Sequence, residues 1–471
     1  LRVLLTGGNP FLQVALASTL AARGHEVDLD RRTGDERPSG DGARTDPPGA
    51  SPDPDVVVVI DRSVAGHGRS TLRWGIADDA GERGLRAARA ARRVVHVESR
   101  RAASPDGMPD WLSTARGAVT TIRTSLVYGT GIDPVTQLLI MMRSLPVVPL
   151  PPGRHTLRPL WRGDLERIVA AVVERSGRAE RIEVTGPEVV GWRQLAEALG
   201  GLIDRDPVRV ALPVSIAASG ARLLARFDPR YAAATSPLAV EQTEATGDDA
   251  RADAPETITG RASVGVSEGL RRLVAELPEI TPAEGTGAIE VKLFGAVIAD
   301  ARLEPERLID RLRARFADVM PIPIGVEPVL PAKQLQLDTS MSMHVPGRGH
   351  VQVRVVDAGP RHVMLATARG HVVAGIVRFR ARTAGDGVRF EVLVCDAAAN
   401  PVDWLALGAG GSLLQDANWS RVVRNVVALT EGHRVRLYHG QRRLEGAEAV
   451  RIQRGIARTV EASRRRRSGR G

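Results

Sequence analysis

The stretch TGGNPFLQ, residues 6–13, follows an apolar run and precedes a helical pattern, so Thr6, Gly7, Gly8 and Asn9 fall where backbone N–H groups at a helix start can hold an anion. In a dinucleotide-binding turn the glycines have separate jobs: one permits the tight turn, one lets the backbone approach pyrophosphate, one lets helix pack on strand. Here Gly7 keeps the first position, while Pro10 and Gln13 stand at the second and third. Proline suits a first helical turn but has no N–H to offer and adds a ring, and Gln13 adds volume at the helix–strand contact. On these residues alone, dinucleotide binding and a nucleotide-free relic are both open. Phe11 and Leu12, in the same helical turn, join the turn as candidate cofactor contacts.

Other groups have chemistry of their own. DLDRR, residues 28–32, offers Asp30 for a ribose hydroxyl and the pair Arg31 and Arg32 for a 2′-phosphate; the arginines tilt the expectation toward NADP, with a charged loop end as the alternative. Arg62, beside Asp61 at the end of an apolar run, would bind phosphate or close the groove. His344, His350, His362 and His371 lie in a strand-rich region without HExxH or paired-cysteine spacing, so no metal site is expected. His371 beside Gly370 is a candidate for a cavity mouth, against a strand-end histidine bonded to backbone. Asn418 and Trp419 are candidates to face a ligand, against core packing. Arg378, Arg380 and Arg382 alternate along a strand and would grip an anion or form a solvated face.

The elements that must position these residues come in two styles. Residues 1–200 alternate short apolar runs with helical patterns: LRVLLTG, HEVDLDRR, PDVVVVIDRS, RVVHVES, AVTTIRT and RIEVTGP read as strands, with helices over 10–23, 78–92, 158–175 and 192–203. The run at 54–63 is β-branched throughout, as in a strand buried on both faces. Residues 33–54 read as a loop. Residues 232–263 lose large apolar groups and read as a linker. Beyond it, residues 305–316 put Leu308, Ile309, Leu312 and Phe316 on one helical face. Period-two strands and a last helix over 413–430 follow, so an antiparallel sheet with helices on one side is expected.

Composition limits the function classes. The 471 residues suit two domains, and 43% apolar content is ample for their cores. Aromatics are only 3%, which argues against a stacked-base platform, so nucleic acid is not an expected partner despite a net charge of +10. The one basic run, residues 464–467, reads as a solvated tail. A single cysteine, Cys395, rules out an internal disulfide and suits a reducing, cytoplasmic setting. No apolar run is long enough for a membrane span, and no charged leader precedes the first strand. A homo-oligomer is left open.

The order of TGGNPFL, DVVVVI, VVHVES, TIRTSLVYGTG, LRPLWRGDLERIVAAVVE and EVTGPEVVGWRQLAEAL resembles the extended or atypical short-chain dehydrogenase/reductase family over about residues 1–230. That resemblance implies a Rossmann fold, NADP or NAD as cofactor, a place for Ser125 beside it, and Ser99 at the position of the family's catalytic serine. The family transfers hydride with a tyrosine and a lysine four residues later, the lysine lowering the tyrosine's pKa. This chain has three tyrosines, Tyr128, Tyr231 and Tyr438, and two lysines, Lys292 and Lys333, none in that spacing. Tyr128 belongs to VYG and reads as structural. More faintly, RGHVVAGIVRFR and LLQDANWSRVVRNVV resemble a family of small helix-grip-like domains, which implies an apolar ligand cavity.

The expected fold is therefore α/β, a Rossmann-like doubly wound parallel sheet over residues 1–231, a connecting segment over 232–287, an α+β helix-grip-like domain over 288–432 and a basic tail over 433–471. The expected function is that of a divergent NAD(P)-binding dehydrogenase/reductase-like protein acting on a small, mostly apolar metabolite without the tyrosine–lysine pair. Its expected chemistry is either redox-neutral, such as cyclisation, dehydration or isomerisation, or that of a reductase that draws its proton from water or another side chain. A non-enzymatic dinucleotide or ligand sensor is the alternative.

Overall fold

The computed structural model describes residues 1–8, 10–30, 54–61, 64, 82–99, 115–131, 133–151, 156–175, 179–211, 253–320, 326–328, 334–345, 349–406, 412–432 and 434–468. Residues 33–53 of the expected loop, Arg31, Arg32, Arg62 and Asn9 lie outside them.

Six strands form the first sheet: β1 (Arg2–Gly7), β2 (Glu26–Leu29), β3 (Val56–Ile60), β4 (Arg93–Ser99), β5 (Ala118–Thr124) and β6 (Glu180–Val184). All neighbours are parallel and the order is β6-β5-β4-β3-β1-β2, so the chain reverses direction across the sheet between β1 and β3. Helices α1 (Pro10–Ala22) and α4 (Arg162–Glu174) pack on one face through Leu12, Leu16, Leu20, Ile168 and Val172; α2 (Glu82–Ala90) packs on the other through Ala88. This is the doubly wound, Rossmann-like arrangement. Every residue of β3 is buried, as its unbroken apolar run requires of a strand covered on both faces.

Local signals fix where the helices start. Asp133 is buried and accepts from the backbone N–H groups of Thr136 and Thr130, 2.8 Å each, while Pro134 pre-sets the first turn of α3 (Pro134–Ser144). Helix α5 (Trp192–Ile203) stops where Asp204 takes a left-handed conformation, φ 50°.

The segment expected as a connector contributes to the first unit's packing. Helix α6 (Val266–Glu276) buries Val266, Leu270 and Leu273 against Tyr128, Trp161 and Trp192. Its small residue Gly269 sits against the Tyr128 hydroxyl, where a Cβ would come to 1.8 Å. Val266, Leu270, Leu273 and Val274 recur at helical spacing in the sequence, just beyond the stretch 232–263 that lacks large apolar groups.

The second sheet holds β7 (Thr286–Ala299), β8 (Val326–Pro328), β9 (Ser340–Val345), β10 (Gly349–Gly359), β11 (His362–Thr367), β12 (Val373–Ala384), β13 (Gly387–Ala398) and β14 (Arg434–Arg443). It is antiparallel throughout, in the order β8-β9-β10-β11-β12-β13-β7-β14. One face carries α7 (Pro305–Ala314) and α8 (Ser412–Leu429): Leu308, Ile309, Leu312 and Phe316 meet Phe379, Phe390 and Val426.

Two expectations change here. Helices cover both faces of this sheet rather than one, because α9 (Gly446–Ser468) lays Ile456 and Val460 on Val356, Met364 and Ile376 of the opposite face. Within residues 433–471, expected as a basic tail, the described residues form β14 and α9 instead. β14 is exposed along nearly its whole length, and its alternation is confined to the short Arg434–Leu437 stretch. The 464–467 run ends α9, where positive charge complements the helix dipole. Arg464 and Arg467 reach the fully buried Glu279 at 3.0 and 2.6 Å.

The two sheets are joined by direct contacts. Ile280 donates its N–H to Thr367 at 2.7 Å, Arg354 donates to the carbonyls of Leu277 and Ala275, and Arg143 reaches the Arg369 carbonyl at 3.3 Å. Gly370, at φ +85°, gives Arg143 room that a Cβ 2.6 Å from its side chain would remove. No helix among the described residues is long and apolar enough to cross a membrane.

Candidate functional site

In an open parallel sheet, ligands bind beyond the carboxyl ends of the strands where the strand order reverses. Here that place is the β1–α1 turn. Gly7 and Gly8 both have left-handed backbones, φ +76° and +69°. A Cβ on Gly7 would come to 2.4 Å from the Ile60 carbonyl oxygen, and one on Gly8 to 2.7 Å from Ile60 Cγ2, so β3 closes tightly on the turn. Thr6 is fully buried and donates its hydroxyl to Asp30 Oδ2 at 2.9 Å, which fixes the acid at the end of β2 beside the turn.

The sequence-predicted contacts divide. Thr6, Gly7 and Gly8 do converge at the turn. Leu12 is a core residue, packed with Val3, Leu16 and Leu20. Pro10 begins α1, and the side chains of Pro10 and Phe11, with Asn9, Arg31, Arg32 and Arg62, lie outside the described residues. Gln13, at the third glycine position, is buried and donates its amide to the Gly7 carbonyl. The substitution thus repairs itself: the added side chain closes the turn from beneath. Ser125 is committed to the backbone, its hydroxyl donating to the Arg158 carbonyl and its N–H to Val184. Ser99 is buried at the end of β4, level with Thr124.

One set of polar residues escaped the sequence reading. His96 and Glu98 alternate along β4, both buried, with His96 Nδ1 3.9 Å from Glu98 Oε2, and Arg123 of β5 ion-paired to Glu98. Gly7 pairs with Ile60 and Ile60 with Val97, so this row flanks a level two strands from the turn, roughly 10 Å across the sheet. Burial pulls the His96 pKa below its ordinary value, while Glu98 and Asp61 pull the other way. A histidine and a glutamate inside a strand read as interruptions of an apolar run; their shared face was the available signal.

Tyr128 is structural. It is buried, meets Trp161 edge-on at 5.3 Å between ring centres, and burial pushes its hydroxyl pKa well up. An activated tyrosine needs the opposite shift.

In the second domain, His371, Asn418 and Trp419 do not converge. His371 is buried and its Nδ1 accepts from the Val373 N–H at 3.1 Å, holding the turn into β12. Trp419 packs against Phe379, 6.1 Å between ring centres, and Asn418 is half-buried on α8. Positions 373 and 379 are six residues apart on β12, roughly 20 Å. Arg380 and Arg382 are paired to the buried Glu391, at 2.6 and 3.1 Å, with Tyr438 donating to the same carboxylate at 2.9 Å.

A buried polar cluster lies under α8. Lys292, almost wholly buried, donates to Gln415 and Asp416 at 3.0 Å each, and Gln415 donates to Asp396. Burial raises the Asp396 pKa to about 6, against the opposing effects of Gln415 and Lys292. Every member has a partner, so the cluster reads as a satisfied network that fixes α8 on the sheet.

No protein-family model and no curated protein sequence matches the chain. Among solved structures, a nucleoside-diphosphate-sugar epimerase from Staphylococcus aureus is similar at 14% identity, over 57% of this chain and 99% of its own, with a TM-score of 0.40. An NADPH-dependent quinone oxidoreductase from Escherichia coli, complexed with NADPH, is similar at 14% identity over 58% and 99%, TM-score 0.41. A triphenylmethane reductase from Citrobacter complexed with NADP(H) is similar at 12% identity over 58% and 100%, TM-score 0.39. At such scores the likeness decides nothing for this chain, whose fold class rests on its own two sheets.

Proposed function

We propose that the chain is a divergent nicotinamide-dinucleotide-fold protein that holds its cofactor at the β1–α1 turn and acts on a small, mostly apolar metabolite without tyrosine-dependent hydride transfer. The observation that carries the reading is the pair of left-handed glycines at the strand-order reversal, with Asp30 fixed beside them by Thr6. Thr6, Gly7 and Gly8 suit a phosphate, and Asp30 suits a ribose hydroxyl. Pro10 contributes no donor, so fewer N–H groups than usual face the pyrophosphate.

A bound nicotinamide ring supplies hydride chemistry, but proton movement falls to the chain. With no tyrosine–lysine pair, His96 and Glu98 are the acid–base pair that β4 carries toward the ligand edge. Such a pair serves cyclisation, dehydration or isomerisation, which move protons without net redox change.

Titration calorimetry of the purified chain with NAD⁺ and NADP⁺ tests the reading. Saturable binding that Asp30→Ala weakens supports it; no binding of either at millimolar concentration overturns it. A second reading, a non-enzymatic ligand sensor, is favoured by the Gln13 bond that stiffens the turn without adding chemistry. Dinucleotide binding by the wild type, with no turnover of any supplied substrate, belongs to that reading.

A further inference from the structure

A second site stands away from the glycine turn, where the two sheet domains touch. Among the described residues, Asp204, His344 and His350 are the group of three whose ligand atoms all lie within 4.8 Å of one another. They come from distant parts of the chain. Asp204 follows α5 of the first domain in a left-handed conformation, while His344 and His350 face each other across the β9–β10 pair of the second. Gly349, at φ +68°, brings this hairpin against the end of α5: a Cβ there would lie 2.4 Å from the Ile203 carbonyl oxygen and 2.8 Å from that of Asp204.

The three donor atoms lie close together. His344 Nδ1 lies 3.7 Å and His350 Nε2 3.9 Å from Asp204 Oδ2. These separations are too long for hydrogen bonds but close to the spacing of ligands around one tetrahedral ion, where bonds of ~2.0–2.2 Å put neighbouring donors ~3.4 Å apart. A contraction of a few tenths of an ångström brings Asp204 to ligand spacing from each histidine, and the two imidazole nitrogens, within 4.8 Å of each other, close by side-chain rotation of the half-exposed His344. The orientation of His350 is also set: its Nδ1 is 3.3 Å from Ser342 Oγ, so Nδ1 can carry the proton while Nε2 turns its lone pair toward Asp204. A metal-binding imidazole ordinarily has such an outer partner. The rings of His344 and His350 meet edge-to-face, 5.5 Å between centres.

We infer that Asp204, His344 and His350 form a binding site for a divalent transition-metal ion of the zinc type, shared between the two domains and left with an open fourth position facing solvent. Two imidazoles and one carboxylate suit Zn²⁺ and exclude a dedicated calcium or magnesium site, which needs more oxygens. Three ligands with one carboxylate and partial exposure give a moderate affinity. The site ties α5 to the β9–β10 hairpin, so the ion staples the domain contact. Sequence spacing hid it because Asp204 is remote from the histidines, and the pair at positions 344 and 350 meets only through strand register.

The test is titration of the full chain, freed of metal by chelator, with Zn²⁺ and separately with Co²⁺ at pH 7.5. The expected result is one Zn²⁺ per chain with a micromolar dissociation constant, and cobalt d–d absorption with the intensity of a four-coordinate site. His344→Ala and His350→Ala each weaken zinc binding at least tenfold, and Asp204→Asn does so with both histidines intact. Near-ultraviolet circular dichroism checks that each variant is folded. Absence of saturable binding to the folded wild type, or an affinity unchanged in the His344→Ala/His350→Ala double variant, overturns the inference.

Discussion

The Thr6 hydroxyl donates to Asp30 Oδ2 across 2.9 Å, joining the ends of β1 and β2 at the mouth of the glycine turn. The bond occupies one carboxylate oxygen, and on the proposed cofactor reading the other is the acceptor for a ribose hydroxyl. Asp30→Ala is therefore expected to weaken NAD⁺ binding about tenfold, the worth of one charge-assisted hydrogen bond, and to weaken NADP⁺ binding less, because a 2′-phosphate gains nothing from the carboxylate. Parallel calorimetric titrations with the two nucleotides check both statements.

Gly7 has no space for a side chain: a Cβ would press to 2.4 Å from the Ile60 carbonyl at a backbone angle that side chains rarely adopt. Gly7→Ala is expected to cost about 2–3 kcal/mol of stability, because neither the strand nor the turn can yield without the other. Denaturant unfolding followed by circular dichroism measures it. A loss below about 0.5 kcal/mol contradicts the tight closure of β3 on the turn.

The first sheet was the most legible part of the chain. Its β-branched runs and the glycines that end them specify parallel strands, and the structure returns them within a few residues. The glycine turn was legible too, but the Gln13–Gly7 bond was not, since a buried amide reads only as lost packing until its acceptor is seen. The second domain's antiparallel sheet was visible through period-two alternation, whereas β14 alternates only over Arg434–Leu437 and is exposed, and the apolar period of α9 at Ala449, Ile452, Ile456 and Val460 is masked by the arginines around it. The histidine and glutamate of β4 escaped for the opposite reason. They sit inside an apolar run, and only strand pairing places them near the ligand edge.

Glu279 ties α9 to the rest of the fold. Burial alone would raise its pKa, but Arg354, Arg467 and Arg464 outweigh that and hold it at about 2. A carboxylate depressed below its unfolded value of 4.5 contributes stability above that value and loses it as pH falls toward 2. Glu279→Gln leaves three arginines facing a neutral amide, and is expected to cost about 3–5 kcal/mol at pH 7 and to flatten the acid limb between pH 4.5 and 2. Urea midpoints measured across that range provide the comparison.

Asp396 gives the reverse sign. Its folded pKa of about 6 lies above the ordinary 3.8, so the folded state binds the extra proton and stability falls as pH rises between those values. Asp396→Asn keeps an acceptor for Gln415 and removes the buried charge. It is expected to raise stability by roughly 1–2 kcal/mol at pH 8 and to leave it unchanged near pH 3. Thermal unfolding at the two pH values decides it; a destabilised variant at pH 8 would show that the ionised carboxylate is needed by Lys292.

The account stands on the turn at Thr6, Gly7 and Gly8 holding a nicotinamide dinucleotide. The most direct measurement is titration of the full chain with NAD⁺ and NADP⁺, reading heat or the fluorescence of the reduced nucleotides, beside the folded Asp30→Ala variant. The predicted result is saturable one-to-one binding, weakened about tenfold in the variant. Binding absent at millimolar nucleotide, or identical in the variant, would contradict it.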